Sequence, residues 1–106
     1  MEQEHEKNRR FGLIGKNISY SFSKKYFSDK FEKEELVGYS YENFDLQAIS
    51  QFPKLIRENP NLKGLNVTIP YKEKIIPYLD KLNGKATKIG AVNCIKITKK
   101  GKLKGY

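Results

Sequence analysis

The chain has few residues that could form a disulfide or bind a metal ion. Its 106 residues include one cysteine and one histidine. Because Cys94 has no second cysteine to pair with, an intrachain disulfide and a Cys-x-x-Cys metal site are excluded. Since His5 lies near the N-terminus and is the only histidine, a histidine-based catalytic triad within the chain is excluded as well. No metal site is therefore predicted.

Long apolar segments and nucleotide-binding loops are also missing. No run of about 18 apolar residues occurs, so no membrane span is predicted. Residues 1–10 contain no apolar stretch, so we expect no secretory signal and a cytoplasmic protein. Neither a Gly-x-Gly-x-x-Gly pattern nor a Walker A motif is present, so no residue of this chain is predicted to bind a cofactor. The length predicts one domain over residues 10–106, after a flexible polar segment at residues 1–9.

Negative charge is scarce in the second half of the chain. The net charge is +9, and residues 54–106 carry 13 basic and 3 acidic side chains, a net charge of +10. This balance suggests an anionic partner, such as a carboxylate, a phosphate or a nucleic acid. However, only three basic residues are arginines, and arginine dominates specific recognition of phosphates and base edges. The pattern favours a solvated lysine-rich surface, with neither a nucleic acid nor a membrane as partner, and a non-catalytic anion-binding module stays an alternative.

Strand and helix patterns alternate along the chain. Apolar and β-branched runs predict five strands, at residues 10–15, 39–44, 62–68, 91–98 and 102–106. Helical patterns lie between them, at residues 23–36, 45–49, 53–58, 71–79 and 83–89, the last closed by Gly90. In the first of these helices, the inward face is predicted to carry Tyr26, Phe27, Phe31 and Leu36. The fold class is α/β: a small, mainly parallel open sheet flanked by helices, with a C-terminal antiparallel hairpin.

Polar side chains lie at the carboxyl ends of the first and third predicted strands, at the sheet edge where open α/β folds bind ligands. Ser21 and Ser23 come at the start of a helix, whose N-terminus can hold a carboxylate, although for Ser23 alone a helix cap is the better explanation. Asn66 and Thr68 are two residues apart on a strand and share one face. Lys72 begins the next helix, where the dipole disfavours the ammonium form and suits a general base. The alternative is that Lys72 is an ordinary surface lysine.

A third polar position lies inside an apolar run. Asn93 stands between Val92 and Cys94, and a buried asparagine needs hydrogen-bond partners from backbone, water or ligand. No histidine, aspartate or arginine adjoins Cys94, which favours a small buried side chain over a reactive thiolate.

In order, these positions resemble the substrate-binding N-terminal domain of the shikimate dehydrogenase family. The family patterns are G-N-P-I-x-H-S-x-S-P, G-x-N-V-T-x-P-x-K and G-A-x-N-T. The second is the most specific, and the likeness covers nearly the whole chain, from about residue 11 to residue 106. The matching segments are Gly15-Lys-Asn-Ile18-Ser-Tyr-Ser21-Phe-Ser23-Lys24, Gly64-Leu-Asn66-Val-Thr68-Ile-Pro70-Tyr-Lys72 and Gly90-Ala-Val-Asn93-Cys94.

The resemblance implies a specific reaction and specific residue roles. The family reversibly reduces 3-dehydroshikimate to shikimate with NADPH, in the pathway to chorismate and aromatic amino acids. It assigns the substrate carboxylate to Ser21 and Ser23, the ring hydroxyls to Asn66, Thr68 and Asn93, and proton transfer to Lys72. In the family NADP is bound by a second, Rossmann domain, and an aspartate that pairs with the catalytic lysine follows the last strand.

This chain departs from the family in several places. Asn17 and Lys24 replace prolines, Tyr20 replaces a histidine and Cys94 replaces a threonine. The Rossmann domain and the aspartate are both absent, so we expect a domain truncated before the NADP-binding part and inactive on its own. A quinate-preferring relative is an alternative within the family, and a homodimer is left open.

Overall fold

The computed structural model describes residues 9–18, 22–34 and 38–106, with side chains of the second range described from residue 25 onward. Residues 1–8, most of the predicted flexible segment, lie outside these ranges. Six strands and four α-helices are present in the described part, with two short 3₁₀ turns at Ile49–Gln51 and Ile76–Tyr78. The strands are β1 (Arg9–Gly15), β2 (Tyr39–Asp45), β3 (Leu62–Val67), β4 (Lys81–Leu82), β5 (Cys94–Ile97) and β6 (Leu103–Gly105). The helices are α1 (Phe22–Lys33), α2 (Phe52–Glu58), α3 (Tyr71–Lys74) and α4 (Gly84–Ile89).

The six strands form one mixed sheet in the order β2-β1-β3-β5-β6-β4. Strands β2, β1 and β3 are parallel neighbours, and β4 runs parallel to β6. Strand β5 is antiparallel to both β3 and β6. The predicted α/β class and C-terminal hairpin are confirmed, whereas β4 was not predicted because two residues carry no readable period.

One face of the sheet, here called the core face, is covered by α2, α3, α4 and the turns between them. Phe52 of α2 and Ile75 after α3 are almost completely buried there, together with Ile14 of β1 and Ile95 of β5. Aliphatic side chains at alternate strand positions meet the helices on this side, as expected when one face of each strand is buried. The remaining members of this cluster are Leu46, Leu55, Leu62, Leu65, Val67, Tyr71, Ala86, Val92 and Leu103.

The opposite face, here called the aromatic face, is covered by α1. Phe27 of α1 stacks on Tyr41 of β2 with ring centroids 4.7 Å apart. Phe31 of the same helix contacts Tyr39 and Phe11 at 5.5 and 6.3 Å between centroids. The predicted inward positions of Phe27 and Phe31 are thus confirmed, but Tyr26 is 60% exposed and does not belong to the inward face. Leu36, also predicted to face inward, lies outside the described residues.

The predicted helix at residues 45–49 is wrong. Asp45 is the last residue of β2, and Leu46 continues the connection to β1 by donating its N–H to the Gly15 carbonyl at 2.9 Å. The spacing of Leu46 and Ile49 mimics one helical turn, but this strand-to-strand contact competes with helix formation. Helical structure begins only at Ile49.

Smaller differences concern where elements begin and end. Helix α1 begins at Phe22, so Ser23 lies in its first turn and is not the N-cap residue. Strand β3 ends at Val67, one residue before the predicted end, and Ile69 beyond it is 75% exposed. The predicted helix at residues 71–79 is split into α3 and a 3₁₀ turn, in which Pro77 lacks the N–H that a continuous α-helix needs. No helix in the described ranges is long and apolar enough to cross a membrane.

Candidate functional site

Two backbone hydrogen bonds join the second and third polar segments. The Val67 N–H donates to the Asn93 carbonyl at 2.8 Å, and the Val92 N–H donates to the Lys72 carbonyl at 2.8 Å. These bonds cross from β3 and α3 to the start of β5, although Lys72 and Asn93 are 21 positions apart. The carbonyls of both candidate residues are therefore fixed relative to each other by main-chain contacts.

Lys72 and Asn93 line one open pocket of about 480 Å³, here called the lysine pocket. Lys72 is half-buried, whereas Asn93 is exposed. A second lysine, Lys85, comes from α4, and no lining residue is acidic, so the pocket attracts anions such as carboxylates. The lining residues are Lys72, Asn83, Lys85, Ala86, Ile89, Ala91, Asn93, Cys94 and Tyr106.

The end of β6 supports Asn93 from beside the pocket. The Asn93 and Cys94 N–H groups donate to the Tyr106 carbonyl at 2.7 and 3.2 Å, and the Tyr106 N–H donates to the Cys94 carbonyl at 2.9 Å. Lys104 places its Nζ 5.4 Å from the centre of the Tyr106 ring. The backbone of Asn93 is thus held while its side chain stays accessible.

Helix α3 is anchored in the core by the residue that precedes Lys72. Tyr71 is 2% exposed, and its hydroxyl donates a hydrogen bond to the Leu46 carbonyl. Burial, with a smaller contribution from the negative charge of Asp45, raises the pKa of the Tyr71 hydroxyl. Because Tyr71 cannot leave the core, the neighbouring Lys72 is held at the pocket wall.

Asn66 lies in a different cavity from Lys72. It lines an apolar cavity of about 350 Å³ on the aromatic face, here called the aromatic cavity, with Phe11, Phe27 and Tyr41 among its other walls. The Asn66 side-chain Nδ2 donates to the Tyr41 hydroxyl at 2.9 Å. Cys94, which pairs with Asn66 across β3 and β5, lines both cavities, so the two are neighbours.

Thr68 is held in the turn between β3 and α3. Its N–H donates to the Ile14 carbonyl at 2.9 Å, and its carbonyl accepts from the Tyr71 N–H at 3.0 Å. A Cβ atom on Gly15 would lie 2.6 Å from the Thr68 Cγ2 methyl, so this close approach requires glycine at position 15. Thr68 lines neither the lysine pocket nor the aromatic cavity.

The side chains of the two predicted carboxylate-binding serines lie outside the part of the chain that the structure describes. Ser21 lies outside the described residues, and Ser23 belongs to α1 with its side chain outside them. The described start of their loop is held by Asp45, whose carboxylate accepts from the Asn17 N–H at 2.9 Å and the Ile18 N–H at 3.3 Å. Asn17 has a φ of 59°, which the proline of the family pattern could not adopt, so the loop backbone differs at this position.

Sequence reasoning missed several of the residues that build these cavities. Asn83 caps α4 by accepting the Ala86 N–H on its Oδ1 at 2.8 Å, and an asparagine before a helix was a readable signal for that role. Gly90 closes the same helix with a φ of 78°, as predicted. By contrast, nothing in the sequence pairs Tyr41 with Asn66, because their contact depends on how β2 and β3 flank β1.

Metal binding has no support in the described part of the chain, where no group of three or more histidine, cysteine, aspartate or glutamate side chains is close enough to hold an ion.

Comparison with known proteins identifies the family. The family model described as the shikimate dehydrogenase substrate binding domain matches residues 13–95. The chain is 44% identical over 96 residues to a shikimate dehydrogenase (NADP(+)) from Clostridium botulinum strain Loch Maree, covering 90% of this chain and 36% of the relative. The chain thus spans about a third of the length of that relative.

Two of the solved structures that this chain resembles are also those of shikimate dehydrogenases. Shikimate dehydrogenase 1 from Peptoclostridium difficile superposes with a TM-score of 0.82 at 37% identity, covering 92% of this chain and 37% of that one. A shikimate 5-dehydrogenase from Thermus thermophilus, solved in complex with shikimate, superposes with a TM-score of 0.79 at 31% identity, covering 91% and 36%. The chain therefore belongs to the shikimate dehydrogenase family and corresponds to its substrate-binding domain.

Proposed function

We propose that this chain is the substrate-binding part of an NADP-dependent shikimate dehydrogenase and holds shikimate or 3-dehydroshikimate in the lysine pocket. The observation that carries the proposal is that Lys72 and Asn93, from two separate motifs, line one cationic pocket. Its volume of about 480 Å³ lies in the range of small-molecule sites, roughly 300–1,000 Å³. The relative from Thermus thermophilus was solved with shikimate, a small carboxylate that suits such a pocket.

Each candidate residue has a proposed role. Ser21 and Ser23 bind the substrate carboxylate, and Asn66, Thr68 and Asn93 bind ring hydroxyls. Asn93 has the most direct support, since its exposed side chain lies beside Lys72. Asn66 reaches the substrate from the adjoining aromatic cavity, past Cys94.

Lys72 moves a proton at the substrate oxygen. When a carbonyl is reduced to an alcohol, its oxygen takes up a proton, and the Lys72 ammonium donates it; in the reverse direction the amine accepts it. The half-buried position limits how far Nζ can move while keeping it accessible from the pocket. Lys85, exposed on α4, contributes charge at the pocket rim.

We place the NADP site outside the described residues of this chain. The backbone at Gly15, the glycine that ends β1, is closely packed, since a Cβ there would lie 2.6 Å from the Thr68 Cγ2 and 2.9 Å from the Ile18 Cγ2. No glycine-rich dinucleotide motif occurs in the sequence. We therefore assign NADP to the part of the family's length that lies beyond this chain, and we expect the chain alone to be inactive.

A nitrogen-15 NMR titration with shikimate tests the proposal. Millimolar shikimate should shift the backbone amides of Lys72 and Asn93, whereas NADPH alone should shift neither. Lys72→Ala should weaken shikimate binding by about tenfold or more, because a charge-assisted hydrogen bond contributes roughly 1.5–3 kcal/mol. Lys74→Ala is the matched control, because Lys74 lies on the same short helix but outside the pocket, and it should bind like the wild type.

Shifts confined to the lysine-rich hairpin at residues 99–104 would contradict the proposal and favour a non-catalytic anion-binding module. Equal affinities of the Lys72→Ala and Lys74→Ala variants would remove Lys72 from the site. A titration of the wild type with quinate in place of shikimate distinguishes the quinate-preferring alternative, which the names of the relatives do not favour.

Two further expectations stay predictions. Analytical ultracentrifugation decides between a monomer and the homodimer that was left open, and fractionation of cells that express the chain tests the cytoplasmic location.

A further inference from the structure

Among the residues that the structure describes, the Asn66 side chain is hydrogen-bonded to Tyr41, and that bond reaches across the sheet. Strand β1 separates β3, which carries Asn66, from β2, which carries Tyr41. The Asn66 Nδ2 nevertheless lies 2.9 Å from the Tyr41 hydroxyl, because the tyrosine side chain extends over β1 on the aromatic face. The contact therefore joins two strands that do not pair with each other.

The Tyr41 ring is held firmly enough to fix the position of its hydroxyl. The residue is 4% exposed. Phe27 stacks on the ring, with centroids 4.7 Å apart and planes inclined by 23°. A tyrosine has only two side-chain torsions, and stacking against a helix restricts both. The hydroxyl thus offers Asn66 a fixed acceptor.

In the structure the Nδ2 end of the Asn66 carboxamide faces the Tyr41 hydroxyl. The group is planar, with an oxygen that accepts and an NH₂ that donates hydrogen bonds. When Nδ2 is directed to Tyr41, Oδ1 points away from it. Asn66 pairs with Cys94 across β3 and β5, and Cys94 lines both the aromatic cavity and the lysine pocket.

We propose that Tyr41 is a positioning residue for Asn66, directing its carboxamide oxygen to accept a hydrogen bond from a hydroxyl of the bound substrate. The inference rests on the proposed function, since it deepens the role of Asn66 in the same site. Tyr41 acts through Asn66 and does not touch the substrate. A substrate hydroxyl is thereby selected as a donor at this position.

The substitution Tyr41→Phe removes the hydroxyl and keeps the ring. Tyr39→Phe is the matched control, because Tyr39 lies on the same strand and face, is half-buried, and contacts Phe11 and Phe31 through its ring. Without ligand, the Asn66 side-chain NH₂ signals should move in Tyr41→Phe and stay in place in Tyr39→Phe. With shikimate, Tyr41→Phe should raise Kd about three- to tenfold, the loss expected for one hydrogen bond, and Tyr39→Phe should not.

A double-variant cycle separates positioning from a general structural effect. If Tyr41 acts through Asn66, adding Tyr41→Phe to Asn66→Ala should raise Kd no further than Asn66→Ala alone. An equal rise in both backgrounds would overturn the inference, and so would unchanged Asn66 NH₂ signals in Tyr41→Phe. A wild type that binds shikimate only as tightly as Tyr41→Phe would overturn the inference alone, whereas a wild type that binds no shikimate would overturn the proposed function and the inference with it.

Discussion

The two faces of the sheet are covered by different kinds of side chain and by different numbers of the described helices, three on the core face and one on the aromatic face. On the core face, aliphatic residues from the strands meet α2, α3 and α4 in one continuous cluster. On the aromatic face, α1 contributes Phe27 and Phe31 over the rings of β1 and β2, and a cavity of about 350 Å³ stays open beside them. The first arrangement is dense and apolar, whereas the second leaves hydroxyl and amide groups near open space.

This difference predicts that the two faces contribute unequally to the stability of the domain. Close-packed aliphatic burial supplies most of the free energy that stabilises a small domain, and it does so without directional bonds. Rings that carry a hydroxyl can instead hold a polar neighbour in one orientation, as Tyr41 does for Asn66. We therefore expect substitutions of core-face side chains to cost more stability than substitutions on the aromatic face.

The largest expected effect comes from removing a ring from each face. Phe52→Ala should lower the free energy of unfolding by about 3–5 kcal/mol, because Phe52 is 1% exposed at the centre of the core cluster. Phe27→Ala should cost about 1–2 kcal/mol, because Phe27 is only partly buried and borders an open cavity. Urea unfolding followed by circular dichroism measures both values. Equal losses would contradict the division between the faces, and Phe52→Leu serves if Phe52→Ala does not fold.

A smaller difference in stability is expected between alanine substitutions at Gly12 and Gly64. An added Cβ would point to the core face at Gly12 and to the aromatic face at Gly64. A Cβ on Gly12 would lie 2.5 Å from the Phe44 ring and 2.6 Å from the Glu42 carbonyl oxygen, so Gly12→Ala should destabilise by about 1–3 kcal/mol. A Cβ on Gly64 would lie 3.3 Å from the Ile95 carbonyl oxygen, a contact that small shifts can relieve. Gly64→Ala should therefore cost less than about 1 kcal/mol. The same urea experiment checks the pair, and a larger loss for Gly64→Ala would reverse the assignment of the crowded face.

The sequence predicted the strands and caps whose signals are local. The apolar run that became β1, and the Tyr39–Asp45 strand with its alternating aromatics, were placed within one residue of their observed ends. Gly90 was predicted as the end of a helix because glycine readily adopts the left-handed backbone conformation that closes many helices, and it does so here. The predictions that failed concern elements that depend on tertiary contacts. Strand β4 exists because its two residues pair with β6. Residues 45–49 do not form the predicted helix because the Leu46 N–H is bonded to the end of β1.

The candidate site was predicted in part for the same reason. The motifs predicted that Lys72 and Asn93 lie at one sheet edge, and both line the lysine pocket. Lys72 follows β3, and Asn93 directly precedes β5, which is antiparallel to β3. The motifs did not indicate that Asn66 lies in a separate cavity, because alternation along β3 gives the face of a side chain but not its partner. Lys85 and Tyr106 were missed because neither residue type stands out in a lysine-rich chain with seven tyrosines.

The smallest expected effect distinguishes the buried tyrosine of the core face from Tyr39 on the aromatic face. Burial raises the pKa of Tyr71 above the ordinary value of 10.0, so above pH 10 the unfolded chain loses this proton while the folded chain keeps it. The unfolded state then binds fewer protons, and the free energy of unfolding must fall as pH rises through this range. Tyr71→Phe should cost about 1 kcal/mol at pH 7, because the Leu46 carbonyl loses its donor.

That difference should shrink above pH 10, since phenylalanine has no proton to lose and the variant lacks this part of the decline. Tyr39→Phe, half-buried on the aromatic face, is the control and should follow the wild type at both pH values. Thermal or urea unfolding at pH 7 and above pH 10 measures the three chains. A Tyr71→Phe variant whose stability falls as steeply as that of the wild type would show that the alkaline loss arises elsewhere than in the core-face tyrosine.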